Sequence, residues 1–184
     1  MEWNILFLGS VGAGKTEAIK AVSDIEVVRT DVNPTDETAL MKSQTTVAMD
    51  MGILELGAGD RVILYGAPGQ NRFDFMLDIL LQTAKGLVFL INNEASDPLG
   101  DLDHYLAQLS SFQSTFNRPL VIGITHMDVA PSPTIEQYKE RLKQSKSAYA
   151  SEILPIFAMD TRKSVDVKIA LLTLTAMMRV KSQI

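Results

Sequence analysis

The chain alternates short apolar runs with longer segments in which apolar residues recur at helical spacing. Five runs are rich in β-branched or aromatic residues and are nearly continuously apolar, which is typical of strands covered on both faces. These runs are residues 5–8, 61–65, 86–92, 120–125 and 153–158. The alternation predicts a doubly wound α/β fold with a mostly parallel sheet and helices on both faces.

Helical periodicity is clearest between the second and third of these runs. Apolar residues there follow i, i+3, i+4, i+7, i+8 spacing, at Phe73, Met76, Leu77, Leu80, Leu81 and Ala84. Two further helices are predicted to begin at Asp97-Pro98 and at Ser132-Pro133, where an N-cap residue precedes a proline. A last helix is predicted over residues 165–180.

One strand pair departs from the parallel pattern. Residues 46–54 and 61–65 flank the turn-prone segment 57–60, which predicts an antiparallel hairpin at one edge of the sheet. Residues 24–45 have weak periodicity and many polar side chains, so we expect a long functional loop there.

An octapeptide between the first strand and the first helix matches the pattern G-x-x-x-x-G-K-[ST]. It consists of Gly9, Ser10, Val11, Gly12, Ala13, Gly14, Lys15 and Thr16. In such a loop the glycines let backbone N–H groups converge on a phosphate chain, and the helix N-terminus adds positive potential. We expect Lys15 to reach the β- and γ-phosphates and the Thr16 hydroxyl to bind Mg²⁺.

Composition narrows the remaining possibilities. The 184 residues fit a single domain spanning 1–184, and a net charge of −5 disfavours nucleic acid or an anionic membrane as the main partner. With no cysteine in the chain, thiol chemistry, prenylation and palmitoylation are excluded, and Met1-Glu2 lacks the glycine for myristoylation. The N-terminus also lacks a basic region before its apolar run, so we predict no signal peptide and expect a cytoplasmic protein without a lipid anchor.

Three later segments give the octapeptide a more specific context. In chain order they are Gly66-Ala67-Pro68-Gly69-Gln70, Thr125-His126-Met127-Asp128 and Phe157-Ala158-Met159. This series resembles the D-x-x-G-Q, [NT]-K-x-D and S-A-x motifs of Ras-like small GTPases, and the resemblance covers nearly the whole chain. It implies a G domain of six strands in the order 2-3-1-4-5-6, with strand 2 antiparallel, and GTP or GDP as the ligand.

The resemblance assigns the base-binding residues. A carboxylate at Asp128 can accept hydrogen bonds from the guanine N1–H and amine, a donor pair that adenine lacks. The Ala158 N–H would meet the guanine O6, between Phe157 and Met159. His126 stands where the family has a lysine that lies along the base, and Thr125 stands where asparagine is commoner.

The resemblance also assigns the residues around the γ-phosphate. Thr46 looks like the switch I threonine that completes the Mg²⁺ shell while the γ-phosphate is present, and Thr45 is the alternative if the register differs by one. The Gly69 N–H would bind the γ-phosphate. Gln70 would orient the attacking water, so Gln70 and Lys15 are the predicted catalytic residues.

Two positions depart from the family pattern. Gly66 replaces an aspartate that usually holds a Mg²⁺-bound water, and Asp31 and Asp50 are the two candidate carboxylates that could stand in for it. Val11 lies at a loop position next to the γ-phosphate, where a side chain crowds Gln70. We therefore expect slow intrinsic hydrolysis, on the order of 10⁻⁴ s⁻¹.

The Pro-Gly-Gln form without the aspartate is most similar to the bacterial Ras-like GTPases of gliding motility and polarity. That resemblance implies a regulatory partner that stimulates hydrolysis, and the partners of that group typically have the roadblock fold. Two other hypotheses stay open: a guanine-nucleotide-dependent scaffold with negligible turnover, and a small-molecule kinase or ATPase that uses the same phosphate loop.

Overall fold

The computed structural model describes residues 2–32, 47–68, 74–112, 118–145 and 154–181. In this part of the chain, seven strands form one sheet in the order β2-β3-β4-β1-β5-β6-β7. The strands are β1 (Glu2–Leu8), β2 (Val28–Val32), β3 (Val47–Gly57), β4 (Asp60–Gly66), β5 (Gly86–Asn92), β6 (Leu120–Thr125) and β7 (Ile156–Ala158). The helices are α1 (Lys15–Val22), α2 (Asp74–Thr83), α3 (Pro98–Ser111), α4 (Ile135–Gln144) and α5 (Ser164–Lys181).

The predicted fold class is confirmed. The six strands expected from the sequence correspond to β1 and β3–β7, and their observed order is the expected 2-3-1-4-5-6. β4, β1, β5, β6 and β7 pair in parallel, whereas β3 runs antiparallel to β4 with Ile53 opposite Ile63. The predicted hairpin is therefore present.

The prediction of a loop over residues 24–45 is wrong in part, because residues 28–32 form β2. This strand pairs antiparallel with β3, with Val28 opposite Met51, and so the hairpin does not lie at the sheet edge. The sequence Val-Arg-Thr-Asp-Val has too few apolar residues to predict a strand. Backbone hydrogen bonds to β3 stabilise the strand instead. The rest of the predicted loop, residues 33–45, lies outside the described residues.

Helices cover both faces of the sheet, as the near-continuous apolar strands require. On one face α1 and α5 pack through residues that include Ile19, Val167 and Leu174. On the other face α2, α3 and α4 contribute Leu81, Leu106 and Tyr138 to a second cluster. The two clusters pack the sheet between two layers of helices, which sets where the loops after the strands begin.

Helix starts test the capping predictions. α3 begins at Pro98 with Asp97 as N-cap, whose carboxylate accepts from the Gly100 N–H at 2.9 Å, as predicted. The predicted start of α4 at Ser132-Pro133 is wrong: the helix begins at Ile135, and Thr134 is its N-cap. A reciprocal capping box between Thr134 and Gln137 satisfies two backbone donors, which outweighs the proline signal upstream. The last helix is confirmed as α5. None of the helices in the described segments has the length and hydropathy needed to cross a bilayer.

Candidate functional site

Four parallel strands, β1, β5, β6 and β7, end at the same edge of the sheet. The loops after them meet around a cleft of about 700 Å³. The cleft is lined by residues 12, 14–17, 94, 125–129, 158–163 and 166. Ligands of open α/β sheets bind at this end of the strands, so the cleft is the candidate site.

The octapeptide curls tightly and contributes four residues to the cleft lining. The Lys15 ammonium donates hydrogen bonds to the carbonyl oxygens of Gly9 and Ser10, both at 2.7 Å. Gly14 has φ +91, and a Cβ there would come within 2.6 Å of the Thr161 hydroxyl. Only glycine fits this position, because both the backbone angle and the close contact exclude a side chain.

Helix α1 begins directly after this curl. Its N-cap is Gly14, which has no side chain to accept from the first-turn N–H groups, and residues 14–17 line the cleft. The start of α1 therefore offers backbone donors and the positive end of the helix dipole to an anion. Burial lowers the pKa of the Lys15 ammonium to about 8, against the opposing attraction of Asp50.

A carboxylate from β3 lies beside the octapeptide. The Thr16 hydroxyl donates a hydrogen bond to Asp50 Oδ2. Asp50 is opposite Gly66 in the β3–β4 ladder, and a Cβ added to Gly66 would lie 3.4 Å from the Asp50 Cβ. The Asp50 carboxylate on β3 thus lies beside Gly66 on β4, where the chain has no carboxylate of its own.

Thr125 connects three parts of the site. Its buried hydroxyl lies 3.2 Å from the Ala13 carbonyl oxygen and 3.1 Å from that of Ile91. It also lies 2.9 Å from His126 Nδ1. His126 Nδ1 donates to the hydroxyl oxygen in the tautomer that carries its proton at Nδ1. Thr125 thus fixes the end of β6 against both the octapeptide and β5.

His126 turns the chain into the cleft. Its φ of +60 lies in the left-handed region, which residues other than glycine seldom adopt. The turn that follows continues through Asp128, whose side chain is 56% exposed and forms an ion pair with Arg162 at 2.9 Å. A carboxylate therefore lies in the same cleft as the octapeptide, on a different loop.

A buried hydrogen-bond network supports that loop from below. The Asn93 amide donates to the carbonyl oxygens of Ala130 and Pro133, at 2.6 and 3.0 Å. The Tyr138 hydroxyl, on α4, donates to Asn93 Oδ1 at 2.6 Å, and burial raises the pKa of Tyr138 above its ordinary range. The loop between β6 and α4 is thereby held to the end of β5.

The cleft brings together many, but not all, of the residues singled out from the sequence. Those that line it are Gly12, Gly14, Lys15, Thr16, Thr125, His126, Asp128, Ala158 and Met159. Four others are absent from the lining: Gly9 and Ala13 are buried, Val11 is 66% exposed, and Phe157 is half-buried and packs against the core. Thr45, Thr46, Gly69 and Gln70 lie outside the described residues.

Several residues of the site were not predicted as binding residues. Asp160, Arg162 and Glu94 line the cleft, and Asp50 reaches Thr16 from β3. For Asp160 and Arg162 there was a usable signal, because they follow β7 at the carboxyl edge of the sheet. Asp50 had been considered among two carboxylates, and only the strand register selects it.

Comparisons with known proteins agree with this architecture. A family model described as a conserved hypothetical ATP binding protein matches residues 26–180, a range that begins after the octapeptide. No curated protein matches the sequence. Among solved structures, the Arl6 BBS3 small GTPase from Trypanosoma brucei with the bound nucleotide analogue GppNp is similar at a TM-score of 0.71 and 14% identity. The match covers 97% of this chain and 98% of that one, so the two share a fold.

Proposed function

We propose that this chain, which belongs to the family of conserved hypothetical ATP-binding proteins, is a GTP-binding molecular switch that hydrolyses GTP slowly with Mg²⁺. One observation carries the proposal: a single cleft is lined both by the phosphate-type loop with Lys15 and Thr16 and by the Asp128 carboxylate from a different loop. The first set suits a phosphate chain, and the second suits a base with two adjacent N–H donors.

Lys15 and the start of α1 would hold the phosphates. In the described structure the Lys15 ammonium donates to two carbonyl oxygens of its own loop, at 2.7 Å each, and can exchange these for phosphate oxygens. Phosphate is the stronger acceptor for an ammonium because both partners are charged. Thr125, at the end of β6, forms a hydrogen bond with the loop at Ala13. Gly14 packs closely on Thr161 in the loop before α5, and both contacts keep the phosphate loop in its curled form.

Nucleotide affinity is expected to fall as the pH rises above about 8. Without ligand, the pKa of Lys15 is about 8, and bound phosphates raise it again. Binding therefore takes up a proton at any pH between about 8 and the ordinary pKa of lysine. Nucleotide affinity is then independent of pH below about 8 and falls by up to about tenfold per pH unit above it.

Calorimetry in two buffers of different ionisation enthalpy checks this by counting protons. Uptake is expected to be near zero at pH 7 and to approach one proton at pH 9. The Lys15→Arg variant is the control, because its guanidinium stays charged at every pH tested. Any proton uptake that remains in this variant comes from the nucleotide. A flat profile in the unmodified protein would show that Lys15 does not meet the phosphates.

Asp128 supports guanine as the base, although the family description names ATP. Its carboxylate is an acceptor-only group and is more than half exposed in the cleft. Guanine presents two donors to such a group, whereas adenine presents an acceptor at N1 that would face the negative charge. His126 and the Ala158 backbone would complete the base site, beside Met159.

Thr16 and Asp50 are the residues that would hold Mg²⁺. Their oxygens meet in a hydrogen bond at the base of the phosphate loop, and both are hard ligands of the kind that Mg²⁺ prefers. The described residues contain no cluster of three or more His, Cys, Asp or Glu side chains, so the remaining ligands would be phosphate oxygens, water and Thr46. When bound, the cation neutralises phosphate charge.

Hydrolysis would depend on residues outside the described segments. Gln70 would orient the water and Gly69 would bind the γ-phosphate, while Val11, 66% exposed, would crowd Gln70. Single-turnover release of γ-phosphate is expected on the order of 10⁻⁴ s⁻¹, and Val11→Gly should raise it. A rate near one per second without a partner would contradict this assignment.

The alternative is a guanine-nucleotide-dependent scaffold without turnover. Partner-stimulated release of γ-phosphate that is lost in Gln70→Ala would exclude it, and we propose that such a partner, of the kind found with bacterial polarity GTPases, exists. If neither Gln70 nor a regulatory protein changes the rate, the scaffold is the better description. GTP and GDP would still differ in affinity under both descriptions, because Thr46 meets only the γ-phosphate form.

A further inference from the structure

Arg162 lines the cleft and is held in a defined position there. Its Nε donates to Asp160 Oδ1 at 2.8 Å, and its Nη2 donates to Asp160 Oδ2 at 3.0 Å. Two parallel bonds to one carboxylate fix the plane of the guanidinium as well as its distance. Arg162 is therefore oriented by Asp160 although its side chain is 67% exposed.

Asp160 is itself anchored by the backbone around it. Its N–H donates to Asp166 Oδ2 at 2.9 Å, and its carboxylate accepts from the Arg162 N–H at 3.1 Å. Lys163 adds an ion pair at 3.4 Å, and the hydrogen bond from Arg162 holds the pKa of Asp160 well below its usual range. The anchor keeps its charge across the physiological pH range and is only 20% exposed.

The second proton of Arg162 Nη2 goes to a different loop. It is donated to Asp128 Oδ2 at 2.9 Å, so one nitrogen links the loop after β7 to the loop after β6. Among the described residues, Arg162 is the side-chain partner of the Asp128 carboxylate. The bond uses one oxygen of Asp128 and leaves lone pairs on both oxygens for a ligand.

We propose that Asp160 and Arg162 form a positioning clamp that orients Asp128 and sets how strongly the cleft selects guanine. The proposal rests on the proposed function, because it assumes that Asp128 accepts from the base. A free aspartate loses side-chain freedom when a ligand fixes it, and this loss weakens binding. The clamp removes that freedom in advance, so both carboxylate oxygens meet the two donors of guanine without further ordering.

The clamp is suited to a test by substitution because it contributes little to folding. Ion pairs between exposed side chains are weak stabilisers, and Arg162 and Asp128 are 67% and 56% exposed. The pair Arg141–Asp103, which joins α4 to α3 at 2.8 Å, has a similar chemistry and an exposure of 46% and 36%. It lies outside the cleft and provides a matched control.

The experiment compares GDP with IDP, whose base lacks the exocyclic amine, in Arg162→Gln, Arg141→Gln and the unmodified protein. We expect Arg162→Gln to bind GDP about threefold to tenfold more weakly, the range for ordering one side chain. The GDP-to-IDP affinity ratio should fall at least about twofold, because the second hydrogen bond needs the correct carboxylate angle. Arg141→Gln should change neither quantity, and both variants should keep the melting temperature of the unmodified protein.

A double-mutant cycle separates positioning from a general loss of structure. Asp160→Asn should reproduce the effect, and Asp160→Asn with Arg162→Gln should lose no more than Arg162→Gln alone, since Asp160 acts through Arg162. Suppose that the unmodified protein prefers GDP to ADP. Equal losses of affinity for GDP and IDP in Arg162→Gln, or tighter GDP binding in that variant, would then overturn the clamp alone. Absence of that preference in the unmodified protein would overturn the proposed function and the clamp with it.

Discussion

Replacing Asp128 by Asn is expected to weaken GDP and GTP binding by about a hundredfold or more and to make xanthosine nucleotides the preferred ligands. The amide presents an NH₂ group to the two donors of guanine, whereas the C2 carbonyl of xanthine can accept from it. Fluorescence titration with the two nucleotide series measures the exchange. The preference should reverse without loss of the phosphate site, because Lys15 and Thr16 belong to a different segment, at the start of α1.

The Asp103→Asn variant is the control for this prediction. Asp103 is an exposed aspartate on α3 that pairs with Arg141 and is absent from the cleft lining. Its loss removes the same charge from the protein and should leave both nucleotide series unaffected. If Asp128→Asn binds GDP as tightly as the unmodified protein, the base does not lie at Asp128.

Removing the Asp50 carboxylate is expected to reduce the Mg²⁺ enhancement of GTP binding by at least about tenfold, the effect typical of lost partners in a metal site. Asp50→Asn preserves the shape of the side chain and removes its charge next to Thr16. The quantity to measure is the Mg²⁺ concentration that gives half of the maximal gain in GTP affinity. That concentration should rise, while GTP binding in the presence of EDTA stays nearly unchanged.

Moving the carboxylate across the ladder gives a stricter form of this test. The double variant Asp50→Gly, Gly66→Asp places it on β4, directly opposite its original position. The new Cβ would lie 3.2 Å from the flexible end of Ile19, and its other close neighbour, the Asp50 Cβ, is removed in the same variant. We expect the swap to recover most of the Mg²⁺ response that Asp50→Gly alone loses. A swap that folds, binds GTP and shows no recovery would contradict a metal-facing role for Asp50.

The fold followed from the apolar pattern because buried strands and amphipathic helices are each determined by local periodicity. β2 did not, because the edge strand Val28–Val32 is held by backbone pairing with β3. The start of α4 lies two residues later than predicted. Pro133 indicated a first helical turn after Ser132, but the capping box places the N-cap at Thr134. Both differences come from contacts that a pattern of single positions does not encode.

The site divided in the same way. Lys15, Thr16 and Asp128 were predicted as candidate binding residues because each lies in a short motif whose spacing is set along the chain, and all three line the cleft. Asp50 and Arg162 depend on proximity between segments far apart in sequence, through the register of β3 on β4 and the closeness of the β6 and β7 loops. Such proximity is fixed by tertiary packing, so a structure was needed to find them.

The central claim is that the cleft binds guanine nucleotides, and equilibrium titration of the unmodified protein with GTP, GDP, ATP and ADP in the presence of Mg²⁺ tests it most directly. The Asp128 carboxylate and the Lys15 loop, which line the same cleft, predict that GTP and GDP bind at least about a hundredfold more tightly than ATP and ADP. ATP binding as tight as that of GTP would contradict the claim.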